Sequence, residues 1–405
     1  MAASAVSQAD VRPRILLAWE AGAGRGHIVT LRTVAEALGP AFAYDAALCV
    51  MDHAAELEPL CDLVFPGARL WFDSETRHAP GAPRTATWGE FLGDTGFRDG
   101  AFLATQVRWW QDVLTSRCTD LLVADYAPCA LLAAQSLKIP AVVVGTGYGI
   151  PPAGLAEFPV FLPEYAERMF DEREMVATIN AALTPLGVPP LRHLSDIYRR
   201  SQELVRTLDV LDPYAEARTQ ALLPPVADVA RPADVPGDEI FVYFSTTELQ
   251  DEAVVEALCS LNLPVRAFCP SITPDLAKRL EQAGIRMEAQ PVPVGEIAAR
   301  SRLIIHSGQH GILCLGLAAG LPQIAIPQHL EQLYHARRCE ALGTGRVVTL
   351  EQRRAEEMRA MIRAAYADEG LLQTARDTAR RLAPQFAVDP AAVIRERLLP
   401  LLPRS

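Results

Sequence analysis

The chain has little positive charge to spare: 38 lysines and arginines stand against 49 aspartates and glutamates, for a formal net charge of −11 over 405 residues. A phosphate-backbone binder needs a clustered positive field, so a nucleic-acid partner is set aside. The eight cysteines, at 49, 61, 118, 129, 259, 269, 314 and 339, include no C-x-x-C pair, and no histidine spacing completes a zinc site. They are expected to be small buried hydrophobes in a reducing cytosol. No apolar run reaches the roughly 18 residues of a membrane helix. The opening MAASAVSQADVRPR has no basic region followed by a long apolar run, and a soluble, cytoplasmic protein is expected. Short-period repeats and low-complexity tracts are also missing. Apolar residues are plentiful at 50 %, enough to fill two cores, and the length suits two domains of about 150 to 200 residues.

Strand-like runs alternate with helix-like segments. RILLAWE is followed by a glycine-rich turn and by HIVTLRTVAEALG, whose apolar spacing and closing Gly39 fit one helix. TDLLVADY, a helix through CALLAAQSLKI, and PAVVVG repeat the pattern. From about 180 to 237 proline becomes dense, and the end of that interval reads as a joint. A second alternating unit opens at EIFVYFSTTE and runs through VVEALCSL, PVRAFCP and ITPDLAKRLEQAG to RLIIHSGQHGILCLGLAAGLPQIAIPQHLEQLYHARR. Alternation of this kind predicts an α/β protein with two Rossmann-like, doubly wound parallel-sheet domains. The expected boundaries are 1–215, a linker over 216–237, 238–385, and a last helix in 386–405 packing back on the N-terminal domain.

In open parallel sheets, ligands sit beyond the carboxyl ends of the strands, where helix N-termini present unpaired N–H groups. LIIHSGQHG is such a place. Gly308 and Gly311 allow close backbone approach, Ser307 offers a hydroxyl, and His306 and His310 offer donors or charge. The segment reads as a phosphate cradle, or else as a helix start whose glycines ease packing.

The longer stretch resembles the donor-site signature of bacterial and plant sugar-nucleotide glycosyltransferases, which runs roughly H-G-G-x-G-T, a helix, G-V-P, then D-Q before N-A. The matching residues are His306-Ser-Gly, LAAGLP ending at Pro322, IPQ at 326–328, and Glu331-Gln332 before HARR. The resemblance implies the GT-B fold, two Rossmann-like domains facing across a cleft. It also implies nucleotide-diphosphate binding by His306, Ser307, Gly308, Gln309, His310 and Gly311, with Ser245 and Thr246 of FVYFSTT assisting. Glu331 and Gln332 would bond hydroxyls of the transferred sugar. Cys314, Leu315 and Gly316 stand where the family carries a glutamate for the ribose hydroxyls, so no carboxylate serves the ribose from this helix.

Near the start, GAGRGH could open a dinucleotide fingerprint, but it is G-x-G-x-G rather than G-x-G-x-x-G, and no acidic residue cleanly closes a second strand. The same loop resembles the glycosyltransferases' G-H-x-x-P element, with Thr30 or Leu31 in place of the proline. The resemblance makes His27 the base that deprotonates an acceptor hydroxyl, work suited to an imidazole. Asp125 ends the strand of LLVADY, and in the family an aspartate in that place pairs with the catalytic histidine. The bland readings are a solvated histidine at a helix start and an aspartate N-cap. No D-x-D occurs, so a divalent cation has no obvious ligand pair, and no cofactor is expected beyond a nucleoside-diphosphate sugar as co-substrate.

Trp71, Trp88, Trp109 and Trp110 fall in one interval with Phe72, Phe91, Phe97 and Phe102. Trp71, Trp88 and Trp109 are candidates to line an apolar pocket for a small-molecule or lipid acceptor, or they are ordinary core. The combined reading is an inverting transfer of a hexose or deoxyhexose. Its rivals are a sugar-nucleotide epimerase and a non-catalytic binding protein on a degenerate scaffold of the same fold.

Overall fold

The computed structural model describes residues 12–22, 24–71, 86–225, 231–245 and 247–403. The chain divides into two compact units. The first runs to Arg206, takes in Asp212–Leu223 and resumes at Asp389; the second comprises Thr207–Leu211 and Pro224–Val388.

The first unit holds β1 (Arg14–Trp19), α1 (Arg25–Leu38), β2 (Ala43–Leu48), β3 (Leu63–Pro66), α2 (Trp88–Leu92), α3 (Gly100–Ser116), β4 (Leu121–Asp125), α4 (Pro128–Leu137), β5 (Ala141–Gly145), α5 (Glu172–Leu183) and β6 (Ser201–Val205). Its described strands form one parallel sheet in the order β3-β2-β1-β4-β5-β6. The inner strands β1, β4 and β5 read RILLAW, LLVAD and AVVVG and are buried along almost their whole length, as a sheet covered on both faces requires. Helix α1 buries Ile28, Leu31, Val34, Ala35 and Leu38 and stops at Gly39, whose φ of +80° suits glycine.

The second unit holds β7 (Glu239–Tyr243), α6 (Glu252–Cys259), β8 (Val265–Phe268), α7 (Pro274–Gln282), β9 (Arg286–Glu288), α8 (Val294–Arg300), β10 (Ser301–His306), α9 (His310–Ala319), β11 (Gln323–Ala325), α10 (Leu330–Ala341), β12 (Gly345–Val347), α11 (Ala355–Ala367) and α12 (Glu369–Phe386). Its sheet, again all parallel, has the order β12-β11-β10-β7-β8-β9. The two orders are the same doubly wound arrangement. Each has one switch point where strand order reverses, between β1 and β4 in the first sheet and between β7 and β10 in the second.

The unit boundaries differ from those read in the sequence, for identifiable reasons. Residues 207–211 lie before the expected linker but belong to the second unit, because Leu208 and Leu211 pack among Leu313, Leu317, Leu382 and Phe386. Part of the expected linker belongs to the first unit. Leu223 is buried and donates its N–H to the Val205 carbonyl at 2.8 Å, beside the β6 edge. After Asp389 the chain forms α13 (Pro390–Leu398), which buries Ile394 and Leu398, and Arg395 donates to the Ala37 carbonyl of α1 at 3.0 Å.

All eight cysteines are free. Cys129, Cys269, Cys314 and Cys339 are buried, whereas Cys118 is exposed, contrary to expectation, because it occupies the left-handed turn (φ +51°) that closes α3. Among the described residues no helix is long and apolar enough to cross a membrane.

One buried charge braces the first sheet. Asp45, in the middle of AYDAAL, is fully buried and meets Arg14 of β1 at 3.0 Å and Arg117, just past α3, at 2.8 Å. Removing it takes a partner from two partly exposed guanidinium groups, of which Arg14 keeps Asp62 at 3.3 Å. Asp45→Ala is therefore expected to cost about 2 kcal/mol, less than the ~3–5 kcal/mol of a fully buried broken pair, read from the urea unfolding midpoint.

Candidate functional site

At the first switch point, parallel pairing sets Trp19 of β1 level with Asp125 of β4. The loop after β1 then returns His27, in the first turn of α1, over that edge. The His27 ring stacks on Trp19 with centroids 4.6 Å apart and meets Tyr126 edge-on at 5.2 Å. Its Nδ1 lies 3.1 Å from Asp125 Oδ2. Asp125 is almost fully enclosed at 2 % side-chain exposure, while His27 keeps 17 %. An N–H on Nδ1 facing the carboxylate leaves the lone pair on Nε2, the tautomer that a general base needs. The glycine loop is fitted to this ring. Gly22 has φ +90°, and a Cβ there would stand 2.8 Å from His27 Nε2.

Two buried titratable residues lie close to the pair in sequence or in the sheet. Glu20 is fully buried and accepts the N–H groups of Cys129 and Ala130, each at 2.9 Å. Those are the first free donors of α4, which has no side-chain cap of its own, so Glu20 caps α4 from a neighbouring strand and fixes the segment that begins at Asp125. Burial pushes its carboxyl up to about 8, against the pull of the two backbone hydrogen bonds. Arg206, at the end of β6, donates its backbone N–H to the Gly145 carbonyl at 2.8 Å and Nη1 to the Thr33 hydroxyl at 3.2 Å. Burial lowers its guanidinium to about 10, and the charge of Asp125 opposes that shift. Arg206 Nε and Asp125 Oδ1 are both buried without a hydrogen-bond partner.

At the second switch point, His306 of β10 lies level with Tyr243 of β7. The turn after β10 is closed by its own side chains. His306 is fully buried; its Nδ1 accepts the Gly308 N–H at 2.7 Å, so Nε2 carries the proton and donates to Gln323 Oε1 at 2.8 Å. Burial drives this imidazole down to about 4, which keeps it neutral. It serves as a strut between the turn and β11 and carries no charge for a phosphate. His310 likewise points inward, with Nε2 2.8 Å from the Thr207 hydroxyl and its ring edge-on to His335.

Ser307 donates its hydroxyl to Glu248, a buried residue just past β7. Gln309 accepts the Ser307 N–H at 3.1 Å, and its Nε2 lies 3.1 Å from Ser245 Oγ and 3.2 Å from Glu248 Oε1. Gln332 is buried in the first turn of α10, where its Oε1 accepts the Gln328 N–H at 2.7 Å. Glu331 beside it is half-buried. At Gly311 a Cβ would meet nothing within 4 Å, so this position at the start of α9 is open. Thr246 lies outside the described residues.

No protein-family profile matches the chain. An NDP-glycosyltransferase, YjiC, of Bacillus licheniformis is 32 % identical over 103 residues, which is 25 % of this chain and 26 % of that protein. The match thus spans about a quarter of the relative's length. Solved structures match far more of the chain at lower identity. The glycotransferase of kitacinnamycin has a TM-score of 0.65 at 14 % identity, covering 97 % of this chain and 100 % of its own. CalG4, the calicheamicin glycosyltransferase, has 0.66 at 16 %, covering 95 % and 97 %. The spinosyn rhamnosyltransferase SpnG complexed with thymidine diphosphate has 0.60 at 17 %, covering 95 % and 99 %. The chain has the GT-B fold.

Within this GT-B chain the tryptophans separate. Trp88 is fully buried; it stacks on Phe91 at 4.4 Å and meets Tyr126 edge-on at 5.3 Å, which places it one ring away from His27. Trp109 is half-buried on α3 against Trp110. Trp71 is 62 % exposed with Arg69 over its ring, and Phe72 lies outside the described residues. Sequence reasoning missed Trp19, Glu20, Tyr126 and Arg206 in the first unit, and Thr207, Glu248 and Gln323 in the second. Glu20 directly follows β1 and Glu248 lies five residues past β7, each beside a switch point, but position alone does not show what either would bond.

Two predictions follow the geometry. Between its usual 4.5 and about 8, folded Glu20 keeps a proton that the unfolded chain has released, so its contribution to stability falls as pH rises through that window. Glu20→Gln has no proton to lose, and its urea midpoint relative to wild type should therefore rise from pH 5 to pH 8. At Gly308, φ is +94° and a Cβ would stand 2.6 Å from the Gln332 carbonyl oxygen. Gly308→Val is expected to destabilise the second unit by on the order of 3 kcal/mol, measured by hydrogen exchange of its β10 and α10 amides.

Proposed function

We propose that the chain is an inverting, metal-independent glycosyltransferase. It moves a hexose or deoxyhexose from a nucleoside-diphosphate sugar to a hydroxyl of a small apolar or lipid-like acceptor, in the cytoplasm and with no further cofactor. The observation that carries this reading is the His27–Asp125 pair at the first switch point, with Nδ1 held 3.1 Å from a buried carboxylate. In the reaction, His27 Nε2 takes the acceptor's hydroxyl proton while the oxygen forms a bond to the anomeric carbon. The bond from that carbon to the diphosphate breaks on the opposite face, and the nucleoside diphosphate leaves with the electron pair. Asp125 stabilises the imidazolium that results. Trp19 and Tyr126 supply the aromatic rings against His27, with Trp88 behind Tyr126.

The start of α9 supplies backbone N–H groups and a partial positive charge for the diphosphate, a role that needs no cation. The 2′ hydroxyl has no carboxylate partner on α9, where Cys314, Leu315 and Gly316 stand. The thymidine diphosphate bound to SpnG supports a deoxynucleotide donor. Sites that hydrogen-bond a hydroxyl penalise its loss, so UDP and its 2′-deoxy analogue should bind within a few-fold of each other by calorimetry, with or without a chelator.

Incubation with radiolabelled nucleotide sugars, with and without apolar alcohols, tests the whole reading. Transfer or donor hydrolysis supports it, whereas an epimerised donor or no conversion overturns it. His27→Ala should leave donor affinity nearly intact while lowering turnover at least ~100-fold. Asp125→Asn should also slow turnover, and the double variant should be little slower than the worse single one, because the two residues act as a unit.

A further inference from the structure

The side chains assigned to the donor phosphate are already engaged by a carboxylate. Glu248 sits in a single helical turn, Glu248–Gln250, just past β7, the strand next to β10 in the sheet. It is fully buried. Ser307 has one hydroxyl proton, and it is given to Glu248 Oε1. Gln309 Nε2 lies 3.2 Å from the same oxygen and 3.1 Å from both Ser245 Oγ and Ser307 Oγ, while its Oε1 takes the Ser307 N–H at 3.1 Å. Ser307 and Gln309 thus share one oxygen of the Glu248 carboxylate, and Gln309 links it to Ser245. A carboxylate among these donors uses hydrogen bonds that a phosphate would need and repels a second anion a few ångströms away.

We propose that Glu248 is a built-in anion of the donor turn, so that a nucleoside diphosphate binds in competition with it. The inference rests on the donor reading of this turn. Glu248 sets affinity through charge: it penalises each added phosphate and leaves the nucleoside portion of the ligand untouched. Glu248→Gln keeps the volume and one carbonyl acceptor for Ser307 and Gln309, and removes only the charge.

The test is calorimetric titration of wild type and Glu248→Gln with thymidine, thymidine monophosphate and thymidine diphosphate, after circular dichroism shows both proteins folded. Thymidine affinity should be the same in the two proteins. Diphosphate affinity should rise at least ~10-fold in the variant, with the monophosphate between, as expected when a nearby like charge is removed. If wild type binds the diphosphate and the variant binds it equally or less tightly, the inference is overturned and the donor reading stands. If neither protein binds the diphosphate, the donor reading fails and the inference falls with it. Should Glu248→Gln not fold, Glu248→Ser removes the same charge in less volume and is held to the same expectation.

Discussion

The structure depends on the parallel pairing of two inner strands at each switch point. Trp19 level with Asp125, and Tyr243 level with His306, are consequences of backbone register, which buried apolar strands fix firmly because a slip would turn every side chain to the other face. His27, Asp125, Glu20, Ser245, Glu248, Ser307 and Gln309 all lie at, or in the segments that leave, those four strand ends. In the first unit the loop after β1 carries Glu20 and Gly22 and leads to His27, while β4 ends in Asp125. In the second, the segment after β7 carries Ser245 and Glu248, and the turn after β10 carries Ser307 to Gln309. Two sheets with unrelated side chains therefore concentrate their chemistry in the same topological position.

What each unit does with that position differs. In the first, a buried acid is spent on the scaffold, since Glu20 caps α4, and a second acid, Asp125, is spent on orienting the His27 ring. In the second, the histidines turn inward: His306 ties the turn to β11 and His310 meets Thr207. Burial makes His306 a poor source of charge, because desolvation favours its neutral ring. Positive potential in that turn comes instead from the backbone at the start of α9.

The inner architecture was legible because inner strands of a parallel sheet are continuous apolar runs: RILLAW, LLVAD, AVVVG and EIFVY each match a strand. Three of the strands that escaped notice carry polar residues. β2 hides Asp45 inside a run of alanines, β6 is an edge strand reading SQELV inside the proline-dense interval, and β9 is three residues, RME. Edge strands bury one side only, and a buried ion pair looks in sequence like a surface charge. The His27–Asp125 pairing could be anticipated because the family resemblance implied it and Asp125 ends a strand beside the one that leads to α1. Glu20 and Glu248 could not be assigned, because sequence shows an acid after a strand without showing which N–H groups or hydroxyls it will meet.

The glycines carry a related lesson about motif reading. Gly22 and Gly308 both stand at positive φ, and a Cβ at either would strike the protein itself, His27 Nε2 in one case and the Gln332 carbonyl in the other. Glycine at these two positions is thus required by internal packing before any ligand arrives. Gly24, at φ +102°, and Gly311 have no atom within 4 Å of a would-be Cβ, so crowding cannot explain them. Gly24 is explained by its backbone angle, and Gly311 by neither angle nor crowding. Of the glycines in the two motifs, Gly311 at the start of α9 is therefore one whose missing side chain leaves room for something other than the chain itself, and it lies where backbone N–H groups face outward. That room, rather than the number of glycines in the loop, is what the fold offers an anionic ligand.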